Sequence, residues 1–211
     1  MQDQKDVPKD IAMRGLLAVL LFIISIIVGL LVSNLDSFAL ELISNLLWFF
    51  SILFFAVTVI KLGELWHKKQ LKFLGYIFII SAVLFGVTET VLDELHEQKY
   101  SNIYQMPESE IDPKSPEFLE YAKDVIIMLL LVFVNILVLS VIAYFIYKTI
   151  GEVSGIDEFK TAGFIFLISA LTLIFLIGII GFGLGLMLSL YAWGKALYQA
   201  VENEKESNLH T

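Results

Sequence analysis

The chain has 211 residues, of which 58% are hydrophobic and only 17% are charged. Soluble domains carry about 45–50% apolar residues, so a soluble globule could not bury this much apolar surface, and disorder and coiled coil are excluded as well. The absence of cysteine excludes disulfides and thiolate metal sites, and the net charge of −8 argues against a nucleic-acid partner. The sequence therefore predicts an integral membrane protein and contains no motif for a cofactor.

Three charge-free segments in the first half of the chain predict transmembrane helices. A helix needs about 20 apolar residues to cross the hydrocarbon core. We expect spans at about 13–35, 38–60 and 72–92, the third of which must continue past Glu89 to be long enough. The first segment is interpreted as an uncleaved span, because no A-x-A cleavage site follows it.

An acidic cluster, ETVLDELHE, follows the third span at residues 89–97. Glu89, Asp93, His96 and Glu97 fall on one face of a helix. Asp93 and His96 have a spacing at which a carboxylate and an imidazole can share a metal ion. A hydrated, acid-rich helix extension is the alternative interpretation.

The fourth span is predicted at about 117–148, after an acidic loop at 93–116. Ser115, Pro116 and Glu117 form a favourable helix start, with a capping hydroxyl, a proline at the first position and an acid in the first turn. The fourth helix should therefore begin there, above the membrane.

The last charge-free run, residues 161–194, is 34 residues long, which would span about 51 Å as one helix. Glycines cluster at its middle, where a tight turn would be needed. We predict a hairpin of two spans, at 160–179 and 181–200, with a break near 178–182. One long tilted helix packed through its glycines is the alternative. Residues 201–211 are expected to be a flexible acidic tail.

An internal repeat relates two parts of the chain. Residues 71–84 (LKFLGYIFIISAVL) and residues 159–172 (FKTAGFIFLISALT) align at an offset of 88, with seven identities. The polar Lys, Gly and Ser positions among them favour duplication over chance. The copies would be residues 38–92 and 126–180, so the fold class is an all-α bundle of six, or five, spans with a tandem two-helix repeat.

The second copy resembles a known family. GEVSGIDEFKTAGFIFLISALTLIFLIGIIG, at residues 151–181, is similar to the C-terminal region of archaeal multi-spanning proteins called domain of unknown function 996. The similarity covers about residues 151–200. It implies an archaeal-type membrane protein and transfers no site, because that family has no established activity.

The distribution of Lys and Arg predicts the orientation. With six spans, 11 of the 14 basic residues lie on the side of the N-terminus, and the positive-inside rule places that side in the cytoplasm. The loop at 93–116 would then be extracytoplasmic, in a multi-pass protein of the cell membrane. Five spans would move the C-terminus to the outside.

No acid or base lies deep inside a predicted span, which argues against a proton-coupled pump. The mild polar residues there are either helix-packing contacts or the lining of a solute path. The four most notable are Asn45, Ser81, Asn135 and Ser169.

The leading functional hypothesis is a non-catalytic accessory or scaffold subunit of a membrane complex. Its partners would be the lipid bilayer and a membrane protein or a second copy of the chain. A small transporter or channel at the interface between the repeats is the alternative. A metal-binding protein that uses the 89–97 face is the third hypothesis.

Overall fold

The computed structural model describes residues 5–35, 38–106, 112–173 and 177–209. These residues are almost entirely helical and none of them forms a strand, as expected where the backbone must satisfy its own hydrogen bonds in lipid. The helices are α1 (Lys9–Leu35), α2 (Phe38–Leu65), α3 (Lys69–Lys99), α4 (Ser101–Gln105), α5 (Pro116–Ser154), α6 (Asp157–Thr172) and α7 (Ile177–Leu209).

All helices except the short α4 form a closed ring. Each packs against two neighbours, in the order α1, α2, α3, α5, α6, α7 and back to α1. The ion pair between Lys9 and Glu204, at 2.8 Å, places both ends of the described chain at one end of the ring. We call this the turn end, because it also carries the short connections at 66–68 and 155–156, and we call the opposite end the loop end.

Within the described residues, five helices are long and apolar enough to cross a membrane, namely α1, α2, α3, α5 and α7. This agrees with the predicted multi-pass architecture. In contrast, α6 has only 16 residues, a length of about 24 Å, which is less than the hydrocarbon core of about 30 Å. A sixth span therefore stays a prediction.

The long apolar run is divided into two helices, but not where its glycines suggested. Helix α6 ends at Thr172 and α7 begins at Ile177, so residues 178–182 lie within a helix and not at a break. A side chain at Gly178 or Gly181 would overlap Ser169 of α6. The glycines therefore allow close helix packing and do not form the turn.

The start of α5 and the end of α7 can be compared with what the local sequence predicts. The predicted start of α5 is confirmed, because Ser115 Oγ accepts a 3.1 Å hydrogen bond from the Phe118 amide and Pro116 occupies the first position. From residue 201 to Leu209 the chain continues α7 as a helix, and the flexibility expected of this tail stays a prediction. This segment contains no proline or glycine, and Tyr198 donates a hydrogen bond to Glu202 one turn later.

The α2–α3 and α5–α6 hairpins share several contacts at an offset of 88 residues. A Cβ atom on Gly63 would lie 2.6 Å from Lys72 N, and one on Gly151 would lie 2.7 Å from Lys160 Cγ. In both hairpins the glycine therefore allows the second helix to cross closely over the end of the first.

The connections of the two hairpins also have matching hydrogen bonds. The Leu71 amide donates to Lys68 O at 3.1 Å, and the Phe159 amide, 88 residues later, donates to Ile156 O at 3.2 Å. The first turns of α3 and α6 therefore begin in the same way.

The segment before α1 joins the ends of α2 and α5. The Lys5 amide donates to Val153 O at 2.9 Å, and Lys5 Nζ donates to Trp66 O at 3.1 Å. The Trp66 indole in turn donates to Asp6 O at 3.3 Å, and Val7 is buried in the core. One short segment thus connects both hairpins at the turn end.

Candidate functional site

The ring of helices surrounds an apolar cavity of about 370 Å³ that is partly open to the outside. All six helices of the ring contribute to its wall, which is made mostly of aromatic and aliphatic side chains. One representative from each helix is Phe22, Phe55, Phe78, Ala143, Phe166 and Leu186. The volume lies within the range of small-molecule sites, about 300–1,000 Å³.

The cavity does not extend through the turn end. There the core is closed by side chains that are fully buried, among them Leu62, Leu71, Ile150 and Phe159. None of these four residues lines the cavity. The space is therefore a pocket within the bundle and not a continuous passage along it.

Three residues bring hydroxyl groups to the cavity wall: Ser51, Ser140 and Tyr147. Ser51 Oγ donates to Ala18 O at 2.9 Å, and the Tyr147 hydroxyl pairs with Ser189 of α7. Ser140 is 5% exposed, and its hydroxyl makes no hydrogen bond to any residue that the structure describes. Ser140 is thus the cavity hydroxyl that remains available to a ligand.

Tyr147 connects three helices beside the cavity. Its ring centroid lies 5.5 Å from that of Phe55 and 5.8 Å from that of Phe166, and its hydroxyl reaches Ser189. Tyr147 lies near the end of the predicted span 117–148, and no motif in the sequence indicates a role for it. A signal was available in the difference between the two repeat copies. The equivalent residue of the first hairpin, 88 positions earlier, is Val59, so the hydroxyl of Tyr147 occurs in the second hairpin alone at this position.

The four residues predicted for a solute path do not line the cavity. Asn135 donates to Leu131 O of its own helix at 3.0 Å, and Asn45 is exposed on the outside of the bundle. Ser169 is buried against Gly181, and its hydroxyl donates to Ile165 O at 2.6 Å. Ser81 is half-buried. These placements favour the helix-packing interpretation at Ser169, whereas the Asn135 amide bonds only within its own helix.

The 89–97 face is not gathered into a metal site in the described part of the chain. Glu89, Asp93 and Glu97 are exposed, whereas His96 is buried. Among the described residues, no group of three or more His, Cys, Asp or Glu side chains is placed to hold a metal ion. Metal binding at this face stays a prediction without a geometric basis.

His96 instead belongs to an aromatic contact between α3 and α5. Its ring centroid lies 4.8 Å from that of Tyr100 and 5.1 Å from that of Tyr121. Beside it, Asp124 accepts hydrogen bonds of 2.8 Å from both Lys99 and the Tyr100 hydroxyl. Desolvation is the main reason why the pKa of Tyr100 is raised. This cluster fixes α3 to α5 at the loop end.

Comparisons of the chain with protein-family models, curated proteins and solved structures find no match. The similarity of residues 151–200 to the archaeal family therefore stays a prediction.

Proposed function

We propose that this chain is a non-catalytic integral membrane protein that binds an apolar molecule in its central cavity. The observation that carries the proposal is the cavity itself, of about 370 Å³, walled by side chains from six helices. Among the described residues, none of those that line the cavity is charged. An ion or a strongly hydrated solute would lose its hydration there without compensation, whereas an apolar molecule would not.

The outer surface supports a position in lipid. Along α5, Ile126, Leu129, Leu130, Val134 and Val138 are all exposed. An apolar stripe of this length would be unfavourable in water and is expected to contact lipid or another membrane helix.

We propose that the protein acts as an accessory or scaffold subunit, with transport as the second candidate. The closed core at the turn end, where Leu62 and Ile150 are fully buried, favours holding a molecule over passing it through. A carrier is favoured by the contribution of both hairpins to the cavity wall. To transport a molecule, such a carrier would have to open the closed core at the turn end.

The matched contacts at Gly63 and Gly151 support an origin of the two hairpins by duplication. The excess of Lys and Arg near the turn end supports its placement in the cytoplasm, at the cell membrane.

The binding proposal is tested by fluorescence quenching with 1-bromododecane, on protein in lipid nanodiscs. Trp48 lines the cavity, whereas Trp66 and Trp193 are buried outside it. We expect saturable quenching in addition to the linear quenching that bromoalkane dissolved in the bilayer produces. Ala143→Phe should remove the saturable part by filling the cavity.

Val141→Phe is the matched control, because Val141 lies two residues away on the same helix, is 37% exposed and does not line the cavity. It should keep the saturable quenching. Quenching that is linear in the wild type and unchanged by Ala143→Phe would refute the proposal.

Purification in mild detergent separates the two candidate roles. A membrane protein that copurifies at a fixed ratio supports an accessory subunit. A chain that purifies alone and moves 1-bromododecane between vesicle populations supports a carrier.

A further inference from the structure

We infer that the cavity selects an aliphatic chain that ends in one uncharged hydrogen-bonding group, and that Ser140 binds this group. The inference rests on the proposed function, since it names the class of ligand for the same cavity. Three features of the wall carry it: the apolar lining, the absence of charge among the described residues and the available hydroxyl of Ser140.

The membrane setting limits what the apolar wall can contribute to selectivity. A molecule that enters the cavity from lipid leaves a medium that is already apolar, so burial of its chain contributes little. Selection must then come from shape and from hydrogen bonds. Shape alone distinguishes poorly between aliphatic chains of similar length.

The hydroxyls of the wall are not equivalent. Ser51 uses its proton on Ala18 O, and Tyr147 is paired with Ser189. The Ser140 hydroxyl, on a residue that is 95% buried, has no partner among the described residues. A hydroxyl that faces an apolar cavity without a partner is unfavourable, so a ligand that supplies one is favoured over a plain hydrocarbon.

The end group must also be uncharged. A carboxylate or phosphate would lose its hydration in this wall, and no described residue that lines the cavity carries a compensating positive charge. Alcohols, esters and ketones satisfy both conditions, whether they are free amphiphiles or parts of a membrane lipid.

The test compares three brominated probes in nanodiscs: 1-bromododecane, 12-bromododecan-1-ol and 12-bromododecanoate at pH 8. Quenching of Trp48 reports occupancy. We expect the alcohol to bind about fivefold more tightly than the bromoalkane, the ratio that one neutral hydrogen bond gives. The carboxylate should bind more weakly than both.

Ser140→Ala should abolish the preference for the alcohol and leave the affinity for bromoalkane unchanged. Ser140→Thr keeps a hydroxyl and should retain the preference. Ser51→Ala is the matched control in the same wall and should also retain it, because the Ser51 proton is already used within the protein.

The outcomes separate this inference from the proposed function. Equal affinity for alcohol and bromoalkane, or a preference that survives Ser140→Ala, would overturn the inference while saturable binding of bromoalkane keeps the proposed function. An absence of saturable binding by all probes would overturn both.

To distinguish free amphiphiles from membrane lipid, the same protein is tested with a diacylglycerol brominated near the end of one chain. Saturable quenching by 12-bromododecan-1-ol but not by the brominated diacylglycerol identifies a free single-chain ligand. Quenching by both probes identifies the neutral end of a lipid, and both results agree with the inference.

Discussion

His67 and Gly155 lie 88 residues apart, and both adopt the left-handed backbone conformation, with φ of 56° and 73°. Each follows one helix of a hairpin, α2 or α5, and precedes the next, and Gly155 is the C-cap of α5. Left-handed residues commonly end helices in this way, and glycine does so without the steric cost that a side chain brings. The α2–α3 connection therefore carries a strained residue where the α5–α6 connection does not.

Introducing a glycine at position 67 and removing the glycine at position 155 should change the free energy of unfolding in opposite directions. His67→Gly should stabilise the fold by about 1 kcal/mol or less, and Gly155→Ala should destabilise it by about 1 kcal/mol. The measurement is the free energy of unfolding in mixed detergent micelles. Equal effects of the same sign would contradict the proposed equivalence of the two connections.

Gly181→Ala should destabilise the contact between α6 and α7 by about 1–3 kcal/mol, because the new methyl group would overlap Ser169 Oγ. Gly183→Ala is the control on the same helix, since nothing lies within 4 Å of its Cβ position. The control should be neutral or slightly stabilising, because alanine favours helix more than glycine does.

The double variant Gly181→Ala with Ser169→Ala should recover part of the lost stability, because it removes the overlapping oxygen. The rescue is incomplete, since Ser169 Cβ would still lie 3.1 Å from the added atom. A loss as large in Gly183→Ala as in Gly181→Ala would show that the overlap is not the cause.

The stability should depend on pH through Glu158 at the start of α6. Lys195 Nζ donates a 2.7 Å hydrogen bond to Glu158 Oε1 and so holds the pKa of Glu158 below its ordinary value. Because the folded pKa is lower than the unfolded one, the stabilisation is complete above the unfolded value, about 4.3. It is lost as the pH falls through the folded value.

Thermal unfolding of the wild type and Glu158→Gln tests this dependence. The wild type should unfold at the higher temperature at pH 7, and the difference should shrink as the pH falls below about 4. Asp10→Asn is a control for acid effects in general, because Asp10 contacts Arg14 at the longer distance of 3.8 Å and is well exposed. A gap between wild type and Glu158→Gln that stays constant with pH would exclude the proposed role of the ion pair.

Lys5→Ala should destabilise the turn end, because Lys5 Nζ contacts the terminal carbonyl of Trp66. A positive charge at a helix C-terminus contributes up to about 1 kcal/mol. Lys68→Ala is the control, since Lys68 is exposed at the same end and its side chain has no hydrogen bond or ion pair within the described residues. Unfolding free energies of the two variants that agree within error would contradict the bridging role of Lys5.

The start of α5 was predictable because it depends on three adjacent residues. Ser115, Pro116 and Glu117 supply the cap, the fixed backbone angle and the first-turn acid without help from elsewhere in the fold. The placement of His96 was not predictable in this way. A helical face can be read from spacing, but the aromatic partners Tyr100 and Tyr121 come together only when α3 packs on α5.

By itself, the sequence determined that the chain is helical and apolar enough for a membrane. These properties follow from composition and segment length, which the bilayer thickness converts into spans. Tertiary structure alone decided that Gly181 faces Ser169 and that Ser140 and Tyr147 face one cavity. The physical reason is that helices which are apolar on all sides carry no periodic signal of their buried face, so their rotation is set only by packing against neighbours.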